Sequence, residues 1–306
     1  MIKVGITGGE SAIAGELLRL LVNHPDVEII SIHSPKNAGK PVAGVHHGFI
    51  GEPRLLFTSH FDATALDVAF ILKPLHTSAE WSKLMADNPD LKLILYSESV
   101  DISEGMDHQP LLGLSEINRK GLVRGARTTV LPHPASTLSL IALYPLAHHL
   151  MLPNDLCLKI SLPDDLNQDR VQSESHEEIK SNVSMAQSSY TGSLPIDYAS
   201  SGRSRGMSVE FQIPCRTPLD EVFKIYDSIY DDHNFTFMVP FDVGYNEVEG
   251  TNKCIISLTK PDETTLSVRA IADARMRGGA GEAVHLMNLM SGLFEKTGLS
   301  LKIIDY

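Results

Sequence analysis

The amino-terminal residues alternate between strand and helix patterns. Ile2–Thr7 is a short apolar run typical of a buried strand, and a glycine turn follows it. A helical pattern then runs from Ala14 to Asn23 and is stopped by Pro25, and Val27–His33 is the next apolar run. A strand, a helix and a second strand in this order predict two parallel strands joined by a crossover helix. This unit restricts the chain to an α/β fold with a parallel sheet.

The rest of the chain predicts a second domain of another type. The strand–helix alternation continues through three further apolar runs: Val68–Leu72, Leu91–Tyr96 and Thr128–Leu131. After Pro153 the strands follow one another with one long helix, Leu219–Tyr230, which we expect Thr217 to cap. This pattern predicts an α+β domain with an antiparallel sheet. The predicted domains are 1–150 plus 284–306, and 151–283.

Composition narrows the class of protein. With 306 residues the chain is long for a single core, and its formal net charge of −12 disfavours nucleic acid or an anionic membrane surface as partner. Three cysteines are too few for a disulfide framework and indicate a cytoplasmic setting. We find no secretory leader, no apolar run long enough to span a membrane and no zinc-type Cys/His spacing, so we expect no membrane partner and no metal.

The turn after the first strand has the features of a dinucleotide-binding loop. Gly5, Gly8 and Gly9 lie between a strand and a helix, where glycines let the backbone approach a pyrophosphate, and Ser11 follows them. We assign these four residues to the cofactor; the alternative is a tight turn without a ligand. Glu10 lies in the same turn, where its charge disfavours a pyrophosphate by ~1–4 kcal/mol unless it points to solvent.

The end of the second strand decides which dinucleotide fits. No Asp or Glu stands there to accept a hydrogen bond from a ribose 2′-hydroxyl; Ser34 and Lys36 follow the strand instead. A hydroxyl and an ammonium suit a 2′-phosphate, so we assign both residues to the cofactor and expect NADP over NAD. The alternative is a solvated loop.

A second glycine-rich segment, Arg277–Gly292, precedes the last long helix. Its front half indicates a loop, and its back half has helical periodicity. Backbone N–H groups at a helix N-terminus favour an anionic ligand. We therefore assign three more residues to the cofactor: Gly279, Ala280 and Gly281.

Three segments resemble the N-acyl-γ-glutamyl-phosphate reductases, a semialdehyde dehydrogenase family. Arg277–Gly292 is similar to the family's K-G-A-A-G-Q-A-V-Q-N-M-N-L-M-F-G, Leu112–Arg119 to Y-G-L-P-E-L-N-R, and Asn37–Val42 to S-A-G-K-P-V. The resemblance implies a Rossmann-type domain, a glyceraldehyde-3-phosphate-dehydrogenase-like α+β domain and a small-molecule substrate. It also implies a place in arginine biosynthesis, and dimers or tetramers paired through the second domain's sheet.

The same resemblance places Ser136 where the family keeps its catalytic cysteine. The family's strand ends in N-P-G-C-Y-P-T, and His133–Ser139 is the matching segment. A cysteine there becomes a thiolate at a helix N-terminus, whereas a serine hydroxyl is not ionised and needs a base. We expect reduction of an acyl phosphate through Ser136 to be slow or absent. The alternative is that Ser136 is a helix N-cap.

Other family positions supply candidate partners for Ser136. His176 lies in Ser173–Ile179, which is similar to H-R-H-x-P-E-I, and it matches the second histidine only if one residue is missing. We name it the candidate base, with a surface role as the alternative. Arg205 matches the arginine of the family's M-x-R-G-I and is a candidate substrate ligand, with a loop salt bridge as the alternative. His133 is the second candidate substrate ligand.

Two family motifs are altered beyond that. The substrate segment S-A-D-F-R appears as Ser97–Asp101, with Asp101 in place of an arginine, and L-P-H-G becomes Lys73–His76. Three functions stay open. The chain is an NADP-linked reductase that uses Ser136 or a nucleophile supplied by the substrate, or a catalytically silent relative that binds a nucleotide, metabolite or protein partner, or a hydrolase with Ser136 as nucleophile and His176 as base.

Overall fold

The computed structural model describes residues 1–52, 54–73, 78–96, 110–166 and 169–303 and divides into two compact units. The first comprises residues 1–131 and 280–299, and the second comprises residues 132–279 with the residues from 300 onward. This division differs from the predicted boundary at residue 150. The helix Pro134–His148 belongs to the second unit, where it packs against that unit's strands and helices.

The first unit is built on a parallel sheet in the order β2-β1-β3-β4-β6-β5, as far as the described residues show. The strands are β1 Ile2–Thr7, β2 Val27–His33, β3 Val68–Ile71, β4 Lys92–Tyr96, β5 Leu111–Leu112 and β6 Thr128–Leu131. Every residue of β3 and the middle of β4 are buried, as is typical of parallel strands covered on both faces. The order of connection reverses between β1 and β3, because the chain leaves β1 toward β2 and returns to β3 on the other side.

Among the described residues, four helices accompany this sheet: α1 Ala12–Leu21, α2 Ser78–Asp87, α3 Ser115–Val123 and, from the end of the chain, α7 Gly281–Met290. The last of these packs against α1, α3 and β4. Its position is fixed by polar contacts as well as by apolar packing, because the buried Asn288 side chain meets His24 Nε2 at 3.0 Å and donates to Glu295 O at 3.1 Å. From the end of the chain the unit takes residues 280–299, whereas the predicted domain takes 284–306.

The second unit is built on a mixed sheet in the order β10-β11-β12-β9-β7-β8, again among the described residues. The strands are β7 Leu158–Leu162, β8 Ile196–Ser200, β9 Gly206–Pro214, β10 Thr236–Val239, β11 Cys254–Asp262 and β12 Thr265–Asp273. The central pairs are antiparallel, and each edge strand is parallel to its neighbour. The β11–β12 hairpin turns at Glu263 and Thr264.

In the described part of the second unit there are three helices: α4 Pro134–His148, α5 Asp169–Ala186 and α6 Leu219–Tyr230. The N-cap position of α6 is Pro218 and not the predicted Thr217, and no side chain makes a capping hydrogen bond there. The apolar residues of α4 are buried all round, and Pro145 lies inside it. Proline has no N–H, so the carbonyl of Ile141 lacks its helical donor, and the Tyr230 hydroxyl of α6 donates to that carbonyl at 2.7 Å.

Candidate functional site

The turn between β1 and α1 has a backbone that only glycine fits well. Gly8 has φ of 66°, in the left-handed region, and a Cβ there would lie 3.0 Å from Lys73 Cβ. A Cβ on Gly9 would lie 2.5 Å from Ile32 Cγ2, so this residue lets the turn approach β2. Gly5 lies within β1, close under Leu66, and its role in the structure is packing.

The first turn of α1 presents backbone donors without an acid among them. Ser11 is the N-cap: its hydroxyl donates to Gly8 O at 2.8 Å and accepts from Ala14 N at 3.3 Å. The first turn of the helix has no acidic residue. This glycine turn has no room for a Cβ, and the helix N-terminus after it carries partial positive charge on its N–H groups. Together they suit the phosphates of a dinucleotide.

The glycine turn stands at the point where the sheet reverses its order. Gly8 follows β1, and Lys73 follows β3, the neighbouring strand. The two strand ends are tied together, because the Thr7 hydroxyl lies 3.3 Å from Lys73 O and 3.4 Å from Lys73 N. In open α/β sheets ligands bind outside the carboxyl ends of the strands at such a point. The glycine turn of the first unit therefore lies at the kind of position where such sheets bind ligands.

Glu10 does not point away to solvent. Its Oε1 accepts from Lys73 Nζ at 2.7 Å, and its side chain is 24% exposed against 54% for that of Lys73. Burial on its own would raise the pKa of Glu10, but hydrogen bonds from Lys73, from its own backbone and from Ser34 together lower that pKa to about 2. The turn therefore carries a fixed negative charge that is matched by one lysine.

The two residues assigned to a 2′-phosphate differ in access. Ser34 is fully buried; its N–H donates to Thr58 O at 3.1 Å, and its hydroxyl accepts from Asn37 Nδ2 at 3.1 Å. Lys36 is exposed in the short helical turn that follows β2. Of this pair, Lys36 has the side chain that a ligand in solution reaches directly.

The second glycine-rich segment is not an open loop. Met276–Ala280 forms a π-helical turn that continues into α7, and Gly279, Ala280 and Gly281 are all buried. The first turn of α7 also contains Glu282, a fully buried acid. The difference arises because packing around these buried residues overrides the low helix propensity of glycine.

Ser136 is a buried residue inside α4 and not its N-cap. The cap position is His133, so Ser136 is the third residue of the helix. Its side chain is fully buried, and its hydroxyl donates to Ser175 O at 3.3 Å. The interpretation of Ser136 as a cap is therefore wrong, because the helix begins one turn earlier, at Pro134.

The carboxylate of Glu178 closes the start of α4. Its Oε2 accepts from the backbone N–H of His133 at 3.1 Å, and the carboxylate lies beside the Ser136 hydroxyl. Burial raises the pKa of Glu178 above its ordinary value, while the Ser136 hydroxyl and the nearby His133 oppose that rise. The His133 ring is itself buried, with Nε2 at 3.3 Å from Glu174 Oε2. The surroundings of Ser136 are thus acidic.

His176 and Ser136 are not brought together within the described part of the chain. His176 Nε2 lies 3.2 Å from Ser193 O, on another side of α5. Without a gap, the motif H-R-H-x-P-E-I lies over Ser173–Ile179 with its second histidine at Ser175. Ser175 is the residue whose carbonyl contacts Ser136, and its hydroxyl lies 2.8 Å from Tyr198 Oη. The ungapped alignment would have found this residue.

Arg205 is engaged within the second unit. Its Nε donates to Asp273 Oδ2 at 2.7 Å, and Asp273 is fully buried. The same carboxylate accepts from the backbone N–H groups of Gly250, Arg275 and Met276. Arg205 therefore forms the kind of salt bridge that was the alternative to substrate binding.

Two altered family motifs fall largely outside the described residues. Ser97–Asp101 lies outside them entirely, as does His76, whereas Lys73 is described. Across the described ranges we find no group of three or more metal-binding side chains, and no helix there is long and apolar enough to cross a bilayer.

Comparison with known proteins agrees with this architecture. Residues 3–124 match the family model of the semialdehyde dehydrogenase NAD-binding domain. Aspartate semialdehyde dehydrogenase II of Vibrio cholerae has a TM-score of 0.69 at 13% identity, with 95% of this chain and 98% of that chain covered. The enzyme of Francisella tularensis scores 0.65 at 10% identity, with 95% and 100% covered. The fold is that of a two-domain semialdehyde dehydrogenase.

Sequence relatives narrow the class. The N-acetyl-γ-glutamyl-phosphate reductase of Parabacteroides distasonis is 35% identical and that of Phocaeicola vulgatus 32%, with 99% of this chain and of each relative covered. The chain belongs to the N-acetyl-γ-glutamyl-phosphate reductase family. The match to an NAD-binding domain supports a nicotinamide dinucleotide as the ligand of the first unit.

Proposed function

We propose that this chain binds NADP through its first unit but does not reduce an acyl phosphate through a covalent enzyme intermediate. One observation carries the second half of the proposal. At the nucleophile position implied by the family resemblance, Ser136 is fully buried, and its hydroxyl donates to the carbonyl of Ser175.

Support for the dinucleotide comes from the first unit alone. The Gly8–Gly9 turn, the first turn of α1 and the reversal of strand order between β1 and β3 combine at one point of the sheet. Lys36 supports NADP over NAD, because it is exposed just after β2 and no acid ends that strand. When bound, the nicotinamide supplies hydride chemistry, while the protein binds and orients it.

The case against the covalent step is chemical. A serine hydroxyl needs a base within hydrogen-bond reach, and the imidazole of His176 is engaged with Ser193 O. The ionisable group beside Ser136 is Glu178; its carboxyl already accepts from the backbone N–H of His133, and burial raises its pKa, which favours the neutral acid, a poor base. The ungapped histidine position is Ser175, so both positions that the resemblance assigns to nucleophile and acid–base catalyst hold serine.

Calorimetric titration with NADPH and then NADH tests the first half. We expect NADPH to bind more tightly than NADH, and Lys36→Met to reduce that preference. Absence of binding by both, up to millimolar concentration, overturns the proposal. Lys224→Met, on the surface of α6, makes the same change in net charge without altering the cations after β2 and is the control.

Turnover of N-acetyl-γ-glutamyl phosphate with NADPH tests the second half, because the relatives' names identify this substrate class. We expect no turnover above background by the natural chain and a gain in the double variant Ser136→Cys with Ser175→His, by roughly 100-fold over Ser136→Cys alone. Turnover by the natural chain that Ser136→Ala abolishes would establish the reductase alternative. Hydrolysis without NADPH oxidation, lost in the same variant, would establish the hydrolase.

Self-association through the mixed sheet is also part of the proposal. Lys159 of β7 and Gln212 of β9 are exposed, and Ser161 and Glu210 are partly exposed. We expect sedimentation to give a dimer or tetramer, and a monomer at micromolar concentration would contradict this.

A further inference from the structure

The pair Glu10–Lys73 lies at the place where the proposed cofactor's phosphates bind. Gly8 and Lys73 end two neighbouring strands at the reversal point of the sheet, and the glycine turn lies directly against the main chain of Lys73. Any anion that enters this turn meets both members of the pair. The pair therefore belongs to the proposed phosphate site.

Both the backbone and the side chain of Lys73 make polar contacts. Its backbone is tied to Thr7 at the end of β1, and its ammonium donates to Glu10 Oε1 at 2.7 Å. Its side chain is more than half exposed, so it moves at small cost from one acceptor to another. Because α1 has no acid in its first turn, Glu10 is the carboxylate next to these donors among the described residues.

Glu10 is ionised at every pH at which the protein is expected to work, since its pKa lies near 2. Its carboxylate accepts from Lys73 in the same way that a phosphate oxygen would. A second anion close by is repelled, and Lys73 cannot neutralise both charges at once. Glu10 therefore competes with an anionic ligand for Lys73.

We propose that Lys73 is the cation that pairs with the pyrophosphate of the bound dinucleotide, and that Glu10 occupies Lys73 in its absence and so weakens binding. The inference rests on the proposed function of the first unit. It assigns the Lys73 contact to the pyrophosphate, which NADPH and NADH share, and not to the 2′-phosphate. Loss of Lys73 therefore affects both dinucleotides equally, whereas Glu10, which also accepts from Ser34, repels NADPH more than NADH.

The test is calorimetric titration of NADPH and NADH into four proteins: the natural chain, Glu10→Gln, Lys73→Met and the double variant. Glu10→Gln tightens both ligands by at least about fivefold, because one unit charge at close range is removed even with full solvent screening. Lys73→Met weakens both by about three- to tenfold. The loss caused by Lys73→Met is larger in the Glu10→Gln background, where the lysine is free for the phosphate.

The matched control is the pair Glu221–Lys224 of the second unit, a surface pair with Oε1 and Nζ at 2.6 Å. Glu221→Gln and Lys224→Met change net charge by the same amounts and leave both affinities within twofold. Thermal melting of all variants verifies that each is folded. Raising the salt from 0.05 to 0.5 M narrows the gap between Glu10→Gln and the natural chain, because screening weakens the repulsion.

The outcomes separate the two claims. Changes of opposite sign for Glu10→Gln and Lys73→Met, with the Lys73→Met loss equal for both ligands, support the inference. If the natural chain binds NADPH and both substitutions leave its affinity within twofold, the inference is wrong and the proposed function stands. An effect confined to NADPH also overturns it, since that result assigns the pair to the 2′-phosphate. If neither ligand binds the natural chain or Glu10→Gln, both claims fail.

Discussion

The first turns of α1 and α4 both start a helix that follows a strand of the parallel sheet in sequence, yet they depend on different parts of the chain. At α1 the structure needs glycine, because Gly8 has a positive φ and Gly9 lies under Ile32. At α4 the role implied by the family depends on one side chain, and that side chain is Ser136. A site made of backbone amides is preserved wherever the packing is preserved, whereas a site made of one sulfur atom is lost by a single substitution.

The largest effect is expected from breaking the α1 turn itself. Gly9→Val places a branched side chain where a Cβ alone would lie 2.5 Å from Ile32 Cγ2, so we expect a loss of about 3 kcal/mol or more in unfolding free energy. Dinucleotide binding should be lost with it. Urea denaturation and calorimetry measure the two effects.

The control for that substitution is Gly44→Val. A Cβ on Gly44 meets no atom within 4 Å, and the residue does not have a positive φ. We expect a change within about 0.5 kcal/mol. Equal losses at the two positions would mean that glycine in the turn is a matter of general chain flexibility and not of close packing.

A second prediction concerns how α4 is held. Tyr230→Phe leaves the carbonyl of Ile141 buried without a donor, because Pro145 has no N–H, and we expect a loss of about 1–3 kcal/mol. Tyr226→Phe is the matched variant: its hydroxyl donates to Ala142 O at 2.7 Å, and Leu146 still has an N–H for that carbonyl. We expect a smaller loss there, about 0.5–1.5 kcal/mol.

The third prediction separates structure from chemistry at Ser136. Ser136→Ala removes the hydrogen bond to Ser175 O, and we expect unfolding free energy to fall by about 0.5–1.5 kcal/mol. NADPH affinity should stay within twofold of the natural chain. A large loss of affinity with unchanged stability would mean that Ser136 contacts the ligand, contrary to the proposal.

The smallest effects are expected in the pH dependence of stability. The contributions of two carboxyl groups, Glu178 and Glu10, change with pH in opposite directions. The folded-state pKa of Glu178 is raised, so its contribution is fully present below about pH 4.5 and is lost as pH rises through the folded value. The pKa of Glu10 is lowered to about 2, so its contribution is present above pH 4.5 and is lost as pH falls toward 2.

Urea denaturation between pH 3 and 7 measures both contributions. The stability of Glu178→Gln should rise relative to the natural chain as pH increases, and that of Glu10→Gln should fall relative to it over the acidic part of the range. If the curves of unfolding free energy against pH are parallel for the natural chain and Glu178→Gln, burial does not shift the pKa of Glu178.

The fold was predictable from the sequence because its main signals are periodic. The apolar run Ile2–Thr7, the helix pattern before Pro25 and the apolar run Val27–His33 each depend on several residues, so one exception does not hide them. The edge strand β8 was missed, since Ile196–Ser200 is short and half exposed. The cap of α6 was misplaced by one residue, because Thr217 and Pro218 are both common at helix starts.

The site was harder to predict, because its contacts join residues far apart in sequence. Glu10 meets Lys73 across 63 positions, and Ser136 meets Ser175 across 39. Nothing in the local pattern around Glu10 indicates which cation it faces. The prediction of His176 as base requires a one-residue gap in the motif, whereas the ungapped alignment places the family's histidine at Ser175.

The proline in α4 has a consequence for the order in which this protein folds. The hydrogen bond that Pro145 removes from the helix is replaced by Tyr230, 89 residues further along than Ile141. During synthesis the carbonyl of Ile141 therefore meets this donor only after α6 has left the ribosome, so we expect the end of α4 to become stable when α6 docks on it.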